Sequence, residues 1–293
     1  MTAALKITDL HIDIRTPGGT RPIVDGISLT LEKGRIHGLA GESGSGKTMT
    51  ALAILGLLPE TMTASGSIVL SDAGGDQASG VELVSASRQT LGAIRGRRIA
   101  MVFQDPSTSL HPQIAVGKQL TDHVRHHLKL NKHDAHDRAI SLLERVSVPD
   151  PEGALKKFPH QFSGGQRQRI AIAVALACDP DVLLADEPTT ALDVTVQAGV
   201  LQLLRDLVDD LGLSVLLVTH DLGVMSAVAD EVTVMRAGVV VESAPRQQLF
   251  TAPEHEYTKT LLAAMPGSTL EESLDALIEE LLEHRSDRPE ESL

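Results

Sequence analysis

The chain has 293 residues, of which 42% are hydrophobic and 22% charged, and its formal net charge at pH 7 is −13. This length accommodates one large α/β core with a smaller appendage. The acidic balance argues against a protein that binds nucleic acid or an anionic membrane broadly, since both need clustered Lys and Arg, and the single cysteine, Cys178, excludes an internal disulfide.

The amino-terminal residues predict two antiparallel strands. Apolar residues alternate with polar ones in "LKITDLHIDI", and "PIVDGISLTLEKG" repeats this pattern after a Pro/Gly turn. This terminus lacks a basic segment followed by an apolar stretch, and no segment approaches the length that crosses a bilayer. We therefore expect a chain that is neither exported nor embedded in a membrane, in a reducing cytoplasm.

The stretch "GESGSGKT" at 41–48 has the composition of a phosphate-binding loop. "RIHGLA" before it is typical of a buried strand, and "KTMTALAILGLL" after its glycines is typical of a helix. A flexible glycine turn is the alternative, but it does not explain the Lys-Thr pair. The glycines let backbone amides converge on phosphate oxygens at the positive end of the helix. We predict nucleotide contacts from Gly41, Ser43, Gly44, Ser45, Gly46, Lys47 and Thr48, with the hydroxyl of Thr48 on Mg²⁺.

The rest of the core alternates strands with helices. Residues 71–90 indicate a loop between short strands, and a polar helical pattern follows from about 115 to 146. "DVLLA" and "LSVLLVT" predict strands, separated by a helix over 194–211. This order favours a largely parallel sheet with both faces covered, into which a helical block at about 115–160 is inserted.

The carboxyl-terminal third indicates a core that ends in a hairpin and continues as an extension. "EVTVMRAGVVVES" predicts the hairpin, with Gly238 in its turn. We divide the chain into a core domain at 1–243 and an extension at 244–293. In that extension "STLEESLDALIEELLEH" predicts an amphipathic helix whose apolar stripe packs on its own domain or on another subunit.

Two further stretches carry chemistry. "VLLADE" ends an apolar strand with Asp186 and Glu187; Asp186 would hold Mg²⁺ through water, and Glu187 would orient and deprotonate the attacking water. An acidic pair that stands alone at a strand end is more often a solvated turn. "FSGGQRQR" at 162–169 adds a second glycine-serine loop at a helix start, which we expect to bind an anion by the same amide geometry.

The glycine loop, "SGGQ", "DEPTTALD" and "VTHD", in this order, resemble the ATP-binding cassette of ABC transporters. The resemblance covers about residues 5–241. It implies an α/β fold of the ABC-type P-loop ATPase class, with a mostly parallel sheet, an antiparallel β subdomain, an inserted helical subdomain and a carboxyl-terminal helical extension. The ligands it implies are ATP and Mg²⁺, and the activity is ATP hydrolysis.

In that family two cassettes pack head to tail, and the signature loop of each covers the γ-phosphate held by the other. The resemblance therefore assigns to a partner's nucleotide the residues Ser163, Gly164, Gly165 and Gln166. Gln104 in "MVFQD" matches the Q-loop residue that contacts Mg²⁺ and the attacking water. Asp193 matches the D-loop, and His220 matches the switch histidine that senses the γ-phosphate. The alternatives are that Gln104 is a polar strand end and His220 a satisfied loop histidine, but the place of His220 after "LLVT" and before Asp221 favours the functional role.

The sequence departs from the family in two places. No Phe, Tyr or Trp precedes Phe103, so the adenine has no aromatic partner before the glycine loop. Ile14 or Arg15, with Arg21 as an outside choice, would cover the base instead, and we expect weaker base discrimination. Phe162 stands where the signature usually begins with Leu, and this apolar exchange should have little effect.

"KKFPHQFSGGQRQRIAIAVALACDPDVLLADEPTTALDVTVQA" and "SAPRQQLFTAPEHEYTKTLLAAMP" resemble the dipeptide, oligopeptide and nickel branch of bacterial ABC importers, although Glu256 replaces the usual Pro. The branch implies a second cassette, often a distinct chain, two membrane-spanning subunits and an external substrate-binding protein. The implied location is the cytoplasmic face of the bacterial plasma membrane. With Cys178 alone, this chain cannot hold the iron-sulfur segment that some members carry.

Three alternatives stay open at this point. A nickel importer of the same branch is one, although the histidines between 123 and 136 read as a solvated face more than as a metal site. A non-transport ABC ATPase is another, but residues 41–163 contain no sustained heptads and no cysteines. A small-molecule kinase or GTPase would use the first loop without "SGGQ".

Overall fold

The computed structural model describes residues 2–72, 80–105, 109–190 and 192–265. Its amino-terminal part is an antiparallel sheet in the order β2-β1-β4-β5. The strands are β1 (Ala3–Thr16), β2 (Gly19–Glu32), β4 (Met62–Leu70) and β5 (Val81–Glu82). The predicted amino-terminal hairpin is confirmed, since β1 and β2 pair antiparallel from Ala3↔Glu32 to Thr16↔Gly19.

The second sheet of the described chain has the order β10-β9-β3-β8-β7-β6. It consists of β3 (Ile36–Ala40), β6 (Ile99–Val102), β7 (Val182–Asp186), β8 (Ser214–Thr219), β9 (Glu231–Arg236) and β10 (Val239–Pro245). Its pairs are parallel except for the β9–β10 hairpin. Every residue of β3, β7 and β8 is buried, as the central strands of a sheet covered on both faces require.

The helices follow the predicted alternation. They are α1 (Lys47–Ile54), α2 (Arg88–Ile94), α3 (Val116–Leu128), α4 (Lys132–Arg145), α5 (Pro151–Lys156), α6 (Gly164–Ala175), α7 (Val194–Leu211), α8 (Leu222–Val228), α9 (Arg246–Thr251) and α10 (Glu256–Ala263), with 3-10 turns at Pro159–Gln161 and Leu176–Cys178. The helices α3, α4 and α5 lie between β6 and β7 in the chain, which matches the predicted insertion. No helix of the described ranges combines the length and apolar character needed to cross a bilayer.

The two faces of the parallel sheet contact different cores because side chains alternate along a strand. Val182 and Leu184 of β7 face the antiparallel sheet and α1, whereas Leu183 and Ala185 face the helical side. In β8, Leu216 and Val218 face the antiparallel sheet, and Val215 and Leu217 face the helical side. The antiparallel sheet and the inserted helices are thus held on opposite sides of one set of strands.

Two local predictions were wrong. The helix after the glycine loop ends at Ile54 instead of continuing to residue 58, and Gly56 follows with φ +60°. This is the left-handed conformation in which helices commonly terminate. The predicted loop at 71–90 already contains the start of α2, because Ser87 caps this helix by accepting a hydrogen bond from the Thr90 amide.

The described part of the carboxyl-terminal extension consists of α9 and α10. Glu256, which replaces the branch's usual Pro, is the first residue of α10. Both residue types suit this position, since Pro has no amide to leave unpaired and Glu is favoured by the positive helix end. The predicted amphipathic helix beyond residue 266 lies outside the described residues.

A bulge in β1 gives a test of the antiparallel sheet. Gly66 has φ +94°, and a Cβ atom there would lie 2.1 Å from the carbonyl oxygen of Asp9. We expect Gly66→Ala to lower the free energy of unfolding by about 2 kcal/mol or more, because both the backbone and the contact are incompatible with a side chain. Chemical denaturation measures this change.

Gly92→Ala is the matched control. Gly92 lies within α2, and a Cβ atom there would meet nothing within 4 Å. This exchange should raise the free energy of unfolding by about 0.5–1 kcal/mol, because Ala favours the helix. Equal effects of the two substitutions would contradict the assigned conformation at Gly66.

Candidate active site

The glycine loop is enclosed by strands of both sheets. Gly41 has φ +145°, and a Cβ atom there would lie 2.2 Å from the Met235 carbonyl oxygen of β9. Gly46 has φ +102°, and its Cβ would lie 2.8 Å from the Val24 side chain of β2. Because neither position tolerates a side chain, the backbone itself forms the wall of the loop, and its amides are available to an anion.

Lys47 fills the centre of the loop. Its Nζ donates to the carbonyl oxygens of Gly41 at 2.7 Å and Glu42 at 2.9 Å, and to Ser45 Oγ at 3.3 Å. Burial lowers the pKa of Lys47, while the nearby carboxylates of Glu187, Asp186 and Glu42 act in the opposite direction. A phosphate group would find here a desolvated ammonium group in a ring of backbone dipoles.

Asp186 ends β7 next to the first turn of α1. It is 4% exposed, and its Oδ1 accepts a hydrogen bond from Thr48 Oγ1 at 3.2 Å. Burial raises the pKa of Asp186 despite the hydrogen bond from Thr48 and the charge of Lys47. A hydroxyl and a buried carboxylate are the oxygen ligands that Mg²⁺ prefers, so this pair fits the ion.

Glu187 is held in an unusual backbone conformation. Its φ is +46°, in the left-handed region, and its amide donates to the Val218 carbonyl oxygen of β8 at 2.7 Å. A non-glycine residue occupies this region only when its surroundings stabilise it, and such strain is concentrated at functional sites. The main chain therefore turns sharply at Glu187, directly after the end of β7.

Three side chains hold the Glu187 carboxylate. Gln104 Nε2 donates to Oε2 at 2.7 Å, and Thr190 Oγ1 donates to the same oxygen at 2.9 Å. His220 Nδ1 lies 2.7 Å from Oε1. Burial raises the pKa of Glu187, but the hydrogen bonds from His220 and Thr190 and the charges of His220 and Lys47 outweigh it, so the pKa lies below its usual value. Glu187 is therefore ionised and fixed in orientation.

The sheet explains how these residues meet. Gln104, Glu187 and His220 follow the carboxyl ends of β6, β7 and β8, which are neighbours in the sheet. Lys47 follows β3, the next strand along. Parallel strands end at the same edge, and open α/β sheets bind their ligands there. The structure thus brings together Lys47, Thr48, Gln104, Asp186, Glu187 and His220.

The second glycine-serine loop begins α6. Ser163 Oγ accepts from the Gln166 amide at 3.3 Å, and Gln166 Oε1 accepts from the Ser163 amide at 3.1 Å, forming a capping box. A Cβ atom on Gly165 would lie 2.3 Å from Val196, and one on Gly164 would lie 3.5 Å from Leu192. These contacts position the predicted signature residues against the start of α7.

Two neighbours of this loop also have local structural roles. Phe162 is 9% exposed and lies in the core on the helical side, so it acts as the apolar anchor that the sequence predicts. Asp193, the predicted D-loop residue, caps α7 by accepting a hydrogen bond from the Val196 amide at 2.9 Å. Capping does not require contact with a nucleotide, which for Asp193 stays a prediction.

The predicted adenine contacts cluster at one end of the β1–β2 hairpin. Ile14 pairs with Arg21 across the two strands, and Arg15 pairs with Thr20. Arg15 and Arg21 are exposed, and Ile14 is half-buried. Strand β2 continues from this end to Val24, which lies against Gly46 of the glycine loop.

Sequence reasoning missed two residues of the site. Thr190 had a local signal, because it lies three residues after Glu187 in "DEPTT", a spacing at which a hydroxyl can turn back to a carboxylate. Met235 had none, since its contact with Gly41 is made by a backbone carbonyl from a distant strand.

The histidines between 123 and 136 make local contacts. The rings of His123 and His127 lie 4.7 Å apart, and those of His126 and His127 lie 4.8 Å apart. His133 Nδ1 lies 2.8 Å from Asp137. Within the part of the chain that the structure describes, no group of three or more His, Cys, Asp or Glu side chains is arranged to hold a metal ion.

Comparison with known proteins defines the class. Residues 24–190, more than half of the chain, match the ABC transporter family, and the chain belongs to this family. It is 45% identical to the dipeptide transport ATP-binding protein DppD of Bacillus subtilis, over 91% of this chain and 78% of that protein. It is 46% identical to the oligopeptide transport ATP-binding protein OppD of the same organism, over 94% and 76%.

Solved structures agree with this class. The ATP-binding cassette MJ0796, in a dimeric post-hydrolysis state bound to ADP and Pi, matches with a TM-score of 0.71 and 25% identity, over 83% of this chain and 98% of that one. The structure of cbiO1 from Clostridium perfringens, part of the cbiONQ transporter complex, matches with a TM-score of 0.70 and 26% identity, over 91% and 97%.

The chain is therefore an ABC-type ATPase that binds ATP with Mg²⁺, and the predicted fold class is confirmed. The alternative of a small-molecule kinase or GTPase was wrong. A non-transport ABC ATPase is not favoured, since the relatives above are named as transport proteins.

Asp193 gives a test that separates capping from a role at the nucleotide. Asp193→Ala removes the cap of α7 and should lower the free energy of unfolding by about 1 kcal/mol. Asp193→Asn keeps an oxygen acceptor, so stability should stay within a few tenths of a kcal/mol while ATP hydrolysis falls. Denaturation and phosphate-release assays measure the two quantities. An Asn variant with the unmutated rate would leave Asp193 as a cap alone.

Proposed function

We propose that this chain is the ATP-hydrolysing subunit of a bacterial importer of dipeptides or oligopeptides. The observation that carries the catalytic part is the Glu187 carboxylate, whose two oxygens are held by Gln104, Thr190 and His220 beside the glycine loop. The names of the relatives support the peptide substrate, and they favour it over nickel.

The loop and the metal pair bind the nucleotide. Backbone amides of residues 41–46 and the ammonium group of Lys47 would hold the β- and γ-phosphates. Thr48 would ligate Mg²⁺ directly and Asp186 through water. Bound MgATP supplies the phosphoanhydride bond whose hydrolysis provides the free energy.

Glu187 would orient the attacking water and accept its proton. Its lowered pKa keeps it ionised, so a proton acceptor is present before the water arrives. The same hydrogen bonds occupy both carboxylate oxygens, so one of them must be exchanged for the water. The His220 side chain is 58% exposed and contacts Oε1, whereas Gln104 and Thr190 both donate to Oε2, so His220 can turn away without breaking the other two bonds. A His220 that turns from Glu187 to the γ-phosphate would thus link nucleotide binding to activation of the base.

The site needs a second cassette to be complete. The signature residues Ser163, Gly164, Gly165 and Gln166, together with Asp193, would cover the nucleotide of a partner subunit, and the partner would cover this one. Among the described residues, the hydrogen bonds and ion pairs of the Glu187 carboxylate involve Gln104, Thr190 and His220 but none of the signature residues, which is consistent with this division. The dimeric form of the relative MJ0796 supports it as well.

The membrane partners would contact the cleft between the sheet and the inserted helices. Leu57 is 43% exposed and Phe103 is 39% exposed, and both line a groove of about 260 Å³ that includes His123 of α3. Gln104 follows Phe103 directly, so a segment seated in this groove would move the Q-loop. We infer that this chain lies at the cytoplasmic face of the plasma membrane. Its partners there would be two membrane-spanning subunits, which in turn receive substrate from an external substrate-binding protein.

Substitution of the proposed base tests the mechanism. Glu187→Gln preserves size but removes the charge, so the protein should bind ATP, stay as a closed dimer and lose hydrolysis by about 100-fold or more. Size-exclusion chromatography with MgATP and phosphate-release assays measure the two effects. Lys47→Ala is the comparison, and it should lose nucleotide binding and therefore form no closed dimer. Hydrolysis by Glu187→Gln at the unmutated rate would overturn the assignment.

Uptake assays test the transport role. Deletion of the gene should abolish uptake of a labelled dipeptide or oligopeptide, because the membrane subunits lose their energy source. The unchanged chain should restore uptake and the Glu187→Gln chain should not. Nickel uptake by the same cells is the control. Loss of nickel uptake with peptide uptake intact would contradict the peptide assignment.

A further inference from the structure

The helix α10 lies outside the matched family region at 24–190, yet one of its residues faces the nucleotide loop. Tyr257 is 7% exposed, and its ring lies 4.7 Å from the guanidinium carbon of Arg236 in β9. Its hydroxyl is buried and has no well-formed hydrogen bond among the described residues. Burial raises the pKa of this hydroxyl. The backbone of Glu42, the second residue of the loop, acts on this pKa in the opposite direction.

Arg236 begins a turn that touches the glycine loop. Met235, the residue before it, presses its carbonyl oxygen against Gly41. At the other side of the turn the Gly238 amide donates to the Ser45 carbonyl oxygen at 3.1 Å. Both central residues of the turn, Ala237 and Gly238, have positive φ, as tight hairpins require. A short, well-defined turn therefore stands between Tyr257 and the phosphate-binding backbone.

Strand β10 anchors the other side of Tyr257. The Glu242 carboxylate accepts hydrogen bonds from the amides of Glu254 at 2.8 Å and His255 at 3.1 Å. His255 Nδ1 then accepts from the Tyr257 amide at 3.1 Å and caps α10. These bonds fix the start of the helix, so the aromatic ring is presented to Arg236 from a rigid support.

We propose that Tyr257 is a positioning residue for ATP: it braces the turn at 236–238 through Arg236, and the turn braces the glycine loop. The segment at 254–265 thereby sets nucleotide affinity without touching the nucleotide. This role rests on the established binding of ATP and adds to it a contribution from the carboxyl-terminal extension. If the Tyr257 ring only filled the hydrophobic core, its removal would lower stability and leave the affinity for nucleotide unchanged.

The test is a double-mutant cycle on nucleotide affinity with the full-length chain. Tyr257→Leu and Arg236→Gln are made singly and together, and the Kd for a non-hydrolysable MgATP analogue is measured by calorimetry. Each single variant should bind about two- to fivefold more weakly, the size expected for loss of one cation–π contact. The Kd of the double variant should not exceed the larger of the two single-variant Kd values, because both exchanges remove the same contact.

Two further variants serve as controls. Tyr257→Phe keeps the ring over Arg236 and should retain the unmutated Kd. Leu262→Ala removes another side chain of the same helix, which is 8% exposed. It should lower the melting temperature at least as much as Tyr257→Leu and leave the Kd unchanged.

Several outcomes would overturn the proposal. A folded Tyr257→Leu protein with an unchanged Kd would contradict the proposal. Fully additive losses of affinity in the double variant would contradict it as well. A loss for Leu262→Ala as large as that for Tyr257→Leu would reduce the effect to general stability. A loss for Tyr257→Phe as large as that for Tyr257→Leu would exclude the route through Arg236. The ATP-binding assignment fails separately, if the unchanged chain does not bind the analogue.

Discussion

The structure depends on one constraint, the parallel alignment of β6, β7, β8 and β3 in a sheet buried on both faces. Because neighbouring parallel strands end at the same edge, four segments that are far apart in the chain deliver their polar residues to one place. Gln104 and Glu187 are 83 residues apart, and Thr48 and Asp186 are 138 apart, yet each pair is hydrogen-bonded. The cost of desolvating these groups is offset by the bonds they make with each other.

Two adjacent carboxylates acquire different properties from their surroundings. Asp186 ends a fully buried strand and has one hydroxyl donor, and its pKa is raised. Glu187 leaves the sheet through a left-handed turn and meets three donors, and its pKa is lowered. Such divergence is what a site needs when neighbouring groups perform different tasks, here those of the proposed metal ligand and the proposed proton acceptor. Because burial disfavours the charged form of Asp186 and raises its pKa, a cation beside this carboxylate would stabilise it.

The glycine loop is supported from three directions. Val24 of the antiparallel sheet, Met235 of β9 and Gly238 of the following turn all contact it. The turn in turn contacts Tyr257 of the extension through Arg236. The antiparallel subdomain and the parallel core thus contact the loop directly, and the carboxyl-terminal segment contacts it through the turn. A change in any of these parts is therefore expected to alter the affinity for nucleotide.

The sequence by itself determined the chemistry and the class. The Lys-Thr pair after a glycine loop, the Asp-Glu pair after an apolar strand and the second glycine-serine loop have local patterns, and alternation of period two and 3.6 is visible without a structure. Tertiary structure alone decided which of these groups meet. It also decided that the Glu187 amide meets the Val218 carbonyl, that the helix α1 stops at Ile54, and that Tyr257 lies over Arg236 beside the turn that contacts the loop. Such contacts join backbone and side-chain atoms from distant segments, and their geometry depends on strand order and packing, which no local pattern encodes.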